Sequence, residues 1–214
     1  MPGSRSSALC LLAILVAGAS TGCRDWRAHV DPARAAEDPE QYPAEEPTPI
    51  TEDIKGYRVI LTPRADYHIV GYAVALSRES DSRWNFTMPM ALGLAWGPAA
   101  DPVVLARLTF RLTDSLGGLS WGYQITPGAA QMPDLNSHIS NNHLIPASGE
   151  IKKALGKISV GDLVSLRGKL VDIEVHQGEG PKLMYENTSL LRTDMGDGAC
   201  EVLWVEEAKS ERPR

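Results

Sequence analysis

The stretch VGDLVSLRGKLVDIEV, residues 160–175, has the strongest strand pattern in the chain. From 164 to 170 the even positions are apolar or glycine, and from 171 to 175 the odd positions are apolar. Because successive side chains of a strand point to opposite faces, this switch predicts a bulge or sharp coil near Gly168, where the missing Cβ permits one. A long strand bent at a glycine is typical of the corners of small barrels.

A polar stretch, NSHISNNHLIP at 136–146, precedes that strand. It falls within a loop predicted over residues 126–148, and loops of that length in compact domains are usually functional or poorly ordered. Ser148 is then a helix N-cap candidate, followed by apolar residues at helical spacing: Ile151, Ala154, Leu155 and Ile158. This region therefore predicts a site loop, a short helix and a long strand.

Further strand patterns occur along the chain, at Tyr57–Thr62, Tyr67–Leu76, Ser120–Ile125 and Cys200–Val205. Residues Val103–Thr113 suit a strand or a helix, and their apolar alternation favours a strand. The first two strand patterns are separated by Pro63 to Asp66, which suits a turn, and the Pro and Gly content of residues 84–102 predicts irregular structure. Together these patterns predict a mainly β domain of six to eight strands with one short helix. An OB-like or related small β-barrel fits best, and an irregular β-sandwich is the alternative.

The N-terminus has the pattern of a targeting segment. Arg5 is followed by the apolar run Ala8 to Ala19, which is shorter than the roughly 20 residues that span a bilayer. The sequence STGC at 20–23 resembles the lipobox of bacterial lipoproteins, which predicts cleavage of residues 1–22 and attachment to the membrane through lipid on Cys23. Ser20 departs from the usual Leu or Val, so plain secretion remains an alternative. Arg24, where an aspartate would favour the inner membrane, favours the outer one.

Three further segments follow from composition. Residues 23–55 combine five prolines with clustered acids and few apolar side chains, which predicts a disordered tether. Residues 56–206 are predicted to form a single β domain, and residues 207–214 a loose tail.

The net charge and the cysteine content limit the classes of protein to which the chain can belong. The net charge is −6, and removal of Arg5 with the leader leaves 20 basic against 27 acidic residues, or −7. This balance argues against a nucleic-acid binder, which usually carries a basic patch. Cys10 lies in the leader and Cys23 is the lipid site. Cys200 therefore has no partner for an intramolecular disulfide.

Four strings resemble a family of bacterial envelope lipoproteins that has no established activity. They are ALGLAWG (91–97), HISNNHLIPA (138–147), VGDLVSLRGKLV (160–171) and SLLRTDMGDGACEVLWVE (189–206). The resemblance implies a secreted or membrane-anchored domain that faces the periplasm. It implies no catalytic residue.

His138 and His143 are candidate site residues, but their spacing of five separates them on a strand and on a helix alike. Only a folded loop brings both to one ligand. A metal site would also need a third ligand, such as Asp134, Asp194 or His176. The alternatives are a catalytic or ligand-binding role, or hydrogen bonds to the loop backbone. The last is favoured, and no metal site is predicted.

Other candidates have weaker patterns. Cys200 with one of the histidines would make a thiolate nucleophile, although buried free cysteine is common. Asp194 and Asp197 with their glycines suit Ca²⁺, but the ladder of an EF-hand loop is missing. Trp96 and Trp121, each followed by glycine, could stack on a sugar or peptide, with core packing as the default. No motif predicts a cofactor.

We therefore expect a membrane-anchored envelope lipoprotein whose β domain binds an unknown envelope protein or a small ligand. The predicted surface combines residues 136–146 with the turn at 194–201, and the predicted ligand-binding residues are Asn141, Asn142, His143, Asp194 and Asp197. The competing class is a periplasmic hydrolase that uses His138 and His143 with Asp194 or Cys200. A purely structural spacer is a third class.

Overall fold

The computed structural model describes residues 25–45, 47–78, 86–113, 120–128, 131–193 and 199–213. Within these ranges the protein is mainly β, which confirms the predicted class. The strands of the described residues are β1 (Glu40–Pro43), β2 (Ile50–Ile54), β3 (Tyr57–Arg78), β4 (Met90–Ala95), β5 (Leu108–Thr113), β6 (Ser120–Ile125), β7 (Ile139–Pro146), β8 (Leu163–Gln177), β9 (Lys182–Glu186) and β10 (Glu201–Glu211). The α-helices are α1 (Pro102–Leu105) and α2 (Gly149–Leu155), and 3-10 helices occur at Trp26–His29, Pro32–Ala35 and Gly97–Ala100.

Eight strands form one sheet in the order β1-β3-β4-β7-β10-β8-β9, with β2 also on β3 and with a further pairing of β3 to β8. Strands β5 and β6 form a separate two-stranded sheet. β7 and β10 pair in parallel, and the other pairs are antiparallel. Helix α2 lies in the connection between β7 and β8.

β3 is a single strand of 22 residues. The predicted turn at residues 63–66 is wrong, because Pro63 pairs with Val171 and Ala65 pairs with Leu170. This shift in register leaves Arg64 as the extra residue of a β-bulge. A bulge bends a strand without ending its pairing, so the two predicted strands are continuous.

The predicted strand at 163–175 is confirmed as β8, and the irregularity near Gly168 is confirmed in a different form. The extra residue, Glu206, is on the partner strand β10, where the register shifts between Val205 and Glu207. A Cβ on Gly168 would overlap the carbonyl oxygen of Trp204. The glycine therefore allows the bulged backbone of β10 to approach β8 closely.

Two hydrophobic cores lie on opposite faces of these strands. The even-numbered apolar residues of β8 up to Leu170 pack in the larger core, whereas Val171, Ile173 and Val175 pack in the smaller one. β10 contributes to both cores by alternation, since Leu203 and Val205 pack in the larger core and Val202 and Trp204 pack in the smaller one. The change from even to odd apolar positions in the sequence therefore reflects a strand whose first part packs in the larger core and whose second part packs in the smaller one.

The polar stretch predicted as a loop is strand β7, so that prediction is wrong between residues 139 and 146. Strand β4 likewise occupies part of the segment predicted to be irregular, and the predicted strand at 103–113 divides into α1 and β5. The predicted strand at 120–125 is confirmed. The predicted helix is confirmed as α2, with the Ser148 side chain accepting from the Ile151 backbone N–H at 3.2 Å.

The predicted disordered tether is also wrong where the structure describes it. Val30 and Ala35 are buried in the larger core, and the indole of Trp96 donates to Asp38 at 3.1 Å. β1 and β2 then pair along the edge of β3. Specific tertiary contacts hold this proline-rich segment on the body, although its composition alone is that of a linker.

The predicted loose tail belongs to the sheet as well. β10 continues to Glu211, whose carboxylate pairs with Arg34 at 2.7 Å, and the Arg212 guanidinium pairs with buried Asp162 at 2.6 Å. The predicted leader and Cys23 lie outside the described residues. Among those that are described, no helix has the length and apolar character needed to cross a membrane.

Candidate functional site

Strand β7 carries three of the five predicted ligand-binding residues and lies between β4 and β10. Because its side chains alternate, Asn141 and His143 point to one face of the sheet, whereas Ser140 and Asn142 point to the other. Asn142 is paired with Glu201 of β10. Asn141, Asn142 and His143, the predicted ligand-binding residues on β7, are therefore divided between two faces and do not surround one ligand.

Asn141 is the centre of a half-buried polar cluster on the first face. Its Oδ1 accepts from the Trp121 indole N–H at 2.8 Å, and its Nδ2 donates to the Cys200 thiol sulfur at 3.3 Å. The indole lies on Gly93 of β4, where a Cβ would be 2.7 Å from the ring. The Phe110 ring meets the indole edge-on at 5.6 Å. The β5–β6 hairpin thus brings an aromatic side chain onto the face of β4 and β7.

Asn142 faces the larger core and is fully buried. Its Nδ2 donates to the Leu92 carbonyl at 3.1 Å and to the Ser140 hydroxyl at 2.8 Å. Its Oδ1 has no hydrogen-bond partner among the described residues. An amide buried this way orders β4 and β7 relative to each other, and it is not accessible to a ligand from solution.

Tyr67 of β3 is another buried polar residue of this core, and its hydroxyl also has no hydrogen-bond partner in the described ranges. The Arg192 guanidinium lies 5.7 Å from the ring centroid, and its positive charge favours the phenolate. Burial has the larger effect and raises the pKa of Tyr67 above its ordinary value. The phenol therefore stays protonated and does not act as a base.

His143 is 3% exposed, and its Nδ1 has no partner in the part of the chain that the structure describes. Its cross-strand neighbours are Ala91 and Val202. Burial lowers the pKa of His143 to about 4 because the charged imidazolium cannot be solvated there. The ring is neutral near pH 7 and far from the pKa that suits a general base at that pH.

His138 immediately precedes the first residue of β7. Its Nδ1 is 2.8 Å from the Asp134 carbonyl oxygen, and its ring lies 6.2 Å from that of Trp96. Five residues of extended chain separate it from His143, a distance of roughly 16 Å. A hydrolase that needs both histidines at one substrate atom does not fit this separation.

The other predicted site residues are Cys200, Asp194 and Asp197. Cys200 is half-buried beside Asn141, whereas Asp194 and Asp197 lie outside the described residues. Within the ranges that the structure describes, no three His, Cys, Asp or Glu side chains are grouped to hold a metal ion.

The cluster of Trp121, Asn141 and Cys200 combines residues that the sequence marked separately. What the sequence did not indicate is Gly93, whose missing side chain makes room for the indole. Comparisons of the chain with protein-family models, with curated proteins and with solved structures find no match. The arrangement places an aromatic ring, an amide and a thiol side by side on the face of β4 and β7.

Proposed function

We propose that the chain is an envelope lipoprotein, anchored through lipid on Cys23, whose β domain is an OB-type barrel that binds a small saccharide ligand. The ligand surface is the cluster of Trp121, Asn141 and Cys200 on the face of β4 and β7. The single observation that carries the proposal is that this cluster lies on the face of β4 and β7, the strands that correspond to the second and third strands of an OB barrel.

The circuit of strand pairings supports the OB assignment. Following the hydrogen-bonded neighbours from β3 through β4, β7, β10 and β8 leads back to β3. A five-stranded Greek-key barrel requires such a circuit. The parallel pairing of β7 with β10 and the helix between β7 and β8 agree with this arrangement.

The position of the cluster supports the ligand class. OB domains bind oligonucleotides or oligosaccharides on the face of their second and third strands, which correspond here to β4 and β7. The acidic net charge disfavours an oligonucleotide, whose phosphates need cationic partners. A neutral saccharide remains, and an indole held in place by the Asn141 amide provides an apolar face on which a sugar ring can stack.

The leader pattern supports the location. A charged residue, a short apolar run and small residues before Cys23 occur in the order that lipid modification requires. We expect the Cys23→Ala variant to leave the membrane fraction, because stable attachment depends on the acyl chains. Equal membrane recovery of the variant and the wild type would contradict the anchor.

Thermal melting with chitotetraose, a neutral oligosaccharide, tests ligand binding. At a ligand concentration of 100 times Kd the free energy of unfolding rises by about 2.7 kcal/mol. For a chain of this size that corresponds to a rise in Tm of about 5–10 °C. We expect Trp121→Ala to remove most of this shift.

Tyr185→Ala is the matched control, since Tyr185 is an exposed aromatic residue on β9, away from the cluster. It should keep the full shift in Tm. A wild-type Tm that chitotetraose does not change, or an equal shift in Trp121→Ala, would contradict the saccharide site.

A further inference from the structure

The described chain is fixed to the body from its first residues. Asp25 caps the 3-10 helix Trp26–His29, and the Arg27 guanidinium donates to the carbonyls of Leu105 at 3.0 Å and Leu108 at 3.4 Å. The ring of Trp26 covers Gly161, where a Cβ would be 2.6 Å from it. The segment predicted to be a long tether therefore provides no slack from Trp26 onward.

This attachment limits the reach of the lipid. Cys23 is two residues before Asp25, and two extended residues span at most about 7 Å. A flexible linker of some thirty residues would instead have an end-to-end distance of roughly 30 Å. A lipid on Cys23 thus holds the adjacent surface of the body at the headgroups and leaves it little freedom to move away.

The surface beside Trp26 has the composition of a membrane interface. Val160 is 37% exposed next to Gly161, and Val103 of α1 is 65% exposed. Between the 3-10 helix and β5 lies a cleft of about 310 Å³, with Arg27 and Arg111 among its lining residues. Tryptophan and arginine are favoured at the headgroup level, where an apolar body and a polar tip are both accommodated.

We infer that this surface, defined by Trp26, Val103, Arg111 and Val160, lies against the headgroup region of a phospholipid bilayer. The inference rests on the proposed lipid on Cys23. Arg27 pairs with Asp25 at 3.2 Å, so the positive charge of the surface is modest. Contact therefore depends on the short connection to the lipid and on the apolar side chains, more than on anionic lipids.

β9 lies at the opposite end of β8 from the inferred contact surface. β8 begins at Leu163, close to Gly161, and reaches Glu174 eleven residues later, where β9 pairs with it. Eleven residues of strand extend roughly 36 Å along the chain. β9 thus provides a reference position on the same molecule, remote from the inferred contact.

Fluorescent labels on single cysteines test the inference in the lipidated protein. Val103→Cys, Val160→Cys and Tyr185→Cys, each with Cys200→Ser, are labelled with an environment-sensitive dye and placed in vesicles that contain headgroup-spin-labelled phosphatidylcholine. We expect loss of fluorescence at positions 103 and 160 and no loss at position 185.

The outcomes separate the inference from the proposed function. Equal quenching at the three positions in vesicle-bound protein would overturn the orientation while the lipid anchor stands. Protein that does not recover with the vesicles at all, and whose mass shows no acyl chains, would overturn the anchor itself and the inference with it.

Discussion

Substitution of Gly168 by valine is expected to cost more than about 4 kcal/mol of the free energy of unfolding, the range reached when a rigid backbone contact is broken. The first added carbon atom would overlap the carbonyl oxygen of Trp204. That oxygen belongs to the main chain of β10, next to the bulge at Glu206, so no side-chain rotation can relieve the overlap. The two strands must separate, which disrupts both cores.

Urea unfolding followed by circular dichroism measures this effect. Gly122→Ala is the matched control, because a Cβ at Gly122 meets no atom within 4 Å. Its stability should stay within about 1 kcal/mol of the wild type. A Gly168→Val protein as stable as this control would show that β8 and β10 do not approach each other as described.

Acid is expected to remove about 3 kcal/mol of stability through His143 alone. The pKa of His143 is about 4 in the folded protein, against 6.5 when the side chain is exposed. Below pH 6.5 the unfolded state binds a proton that the folded state does not, so the free energy of unfolding falls as the pH falls. The loss is complete only below about pH 4, where both states are protonated. Above pH 6.5 this contribution is constant.

His143→Leu isolates the effect from the titration of carboxylates. Leucine is of similar size and leaves no unpartnered Nδ1 in the core, so we expect equal or greater stability at pH 7. The difference in the free energy of unfolding between His143→Leu and the wild type should grow as the pH falls from 6.5 to 4. Parallel curves over that interval would mean that the histidine is hydrated in the folded protein.

The strands that were predicted from sequence are those with apolar alternation. The pattern from Val164 to Val175 is visible without tertiary information, because burial of one face at a time selects it directly. Ser148 before the helix is a local signal for the same reason, since a cap needs only its own turn. Such features are determined by neighbours in the chain.

β7 was missed because two of its polar side chains, Asn141 and Asn142, form hydrogen bonds with groups on other strands. Asn142 bonds to the Leu92 carbonyl and Asn141 to Trp121, and neither partner is near in sequence. A segment with a serine, two asparagines and a histidine in succession predicts a loop unless those partners are known. The N-terminal segment was predicted to be disordered for the same reason, because Asp38 and Trp96 are distant in sequence and form their hydrogen bond only in the folded protein.

The candidate site was predicted in part. Asn141 and Cys200 were among the proposed residues, and the structure places them in contact. The sequence grouped His138 with His143 because they are close in the chain, whereas the strand separates them. Proximity in sequence is a poor guide along an extended strand, since each residue adds about 3.3 Å.

β3 and β8 run without interruption through both hydrophobic cores and pair with each other over most of their length. Neither core can unfold while the other remains intact, because the same two strands contribute side chains to both. The molecule should therefore denature in one concerted transition, although its side chains form two separate clusters.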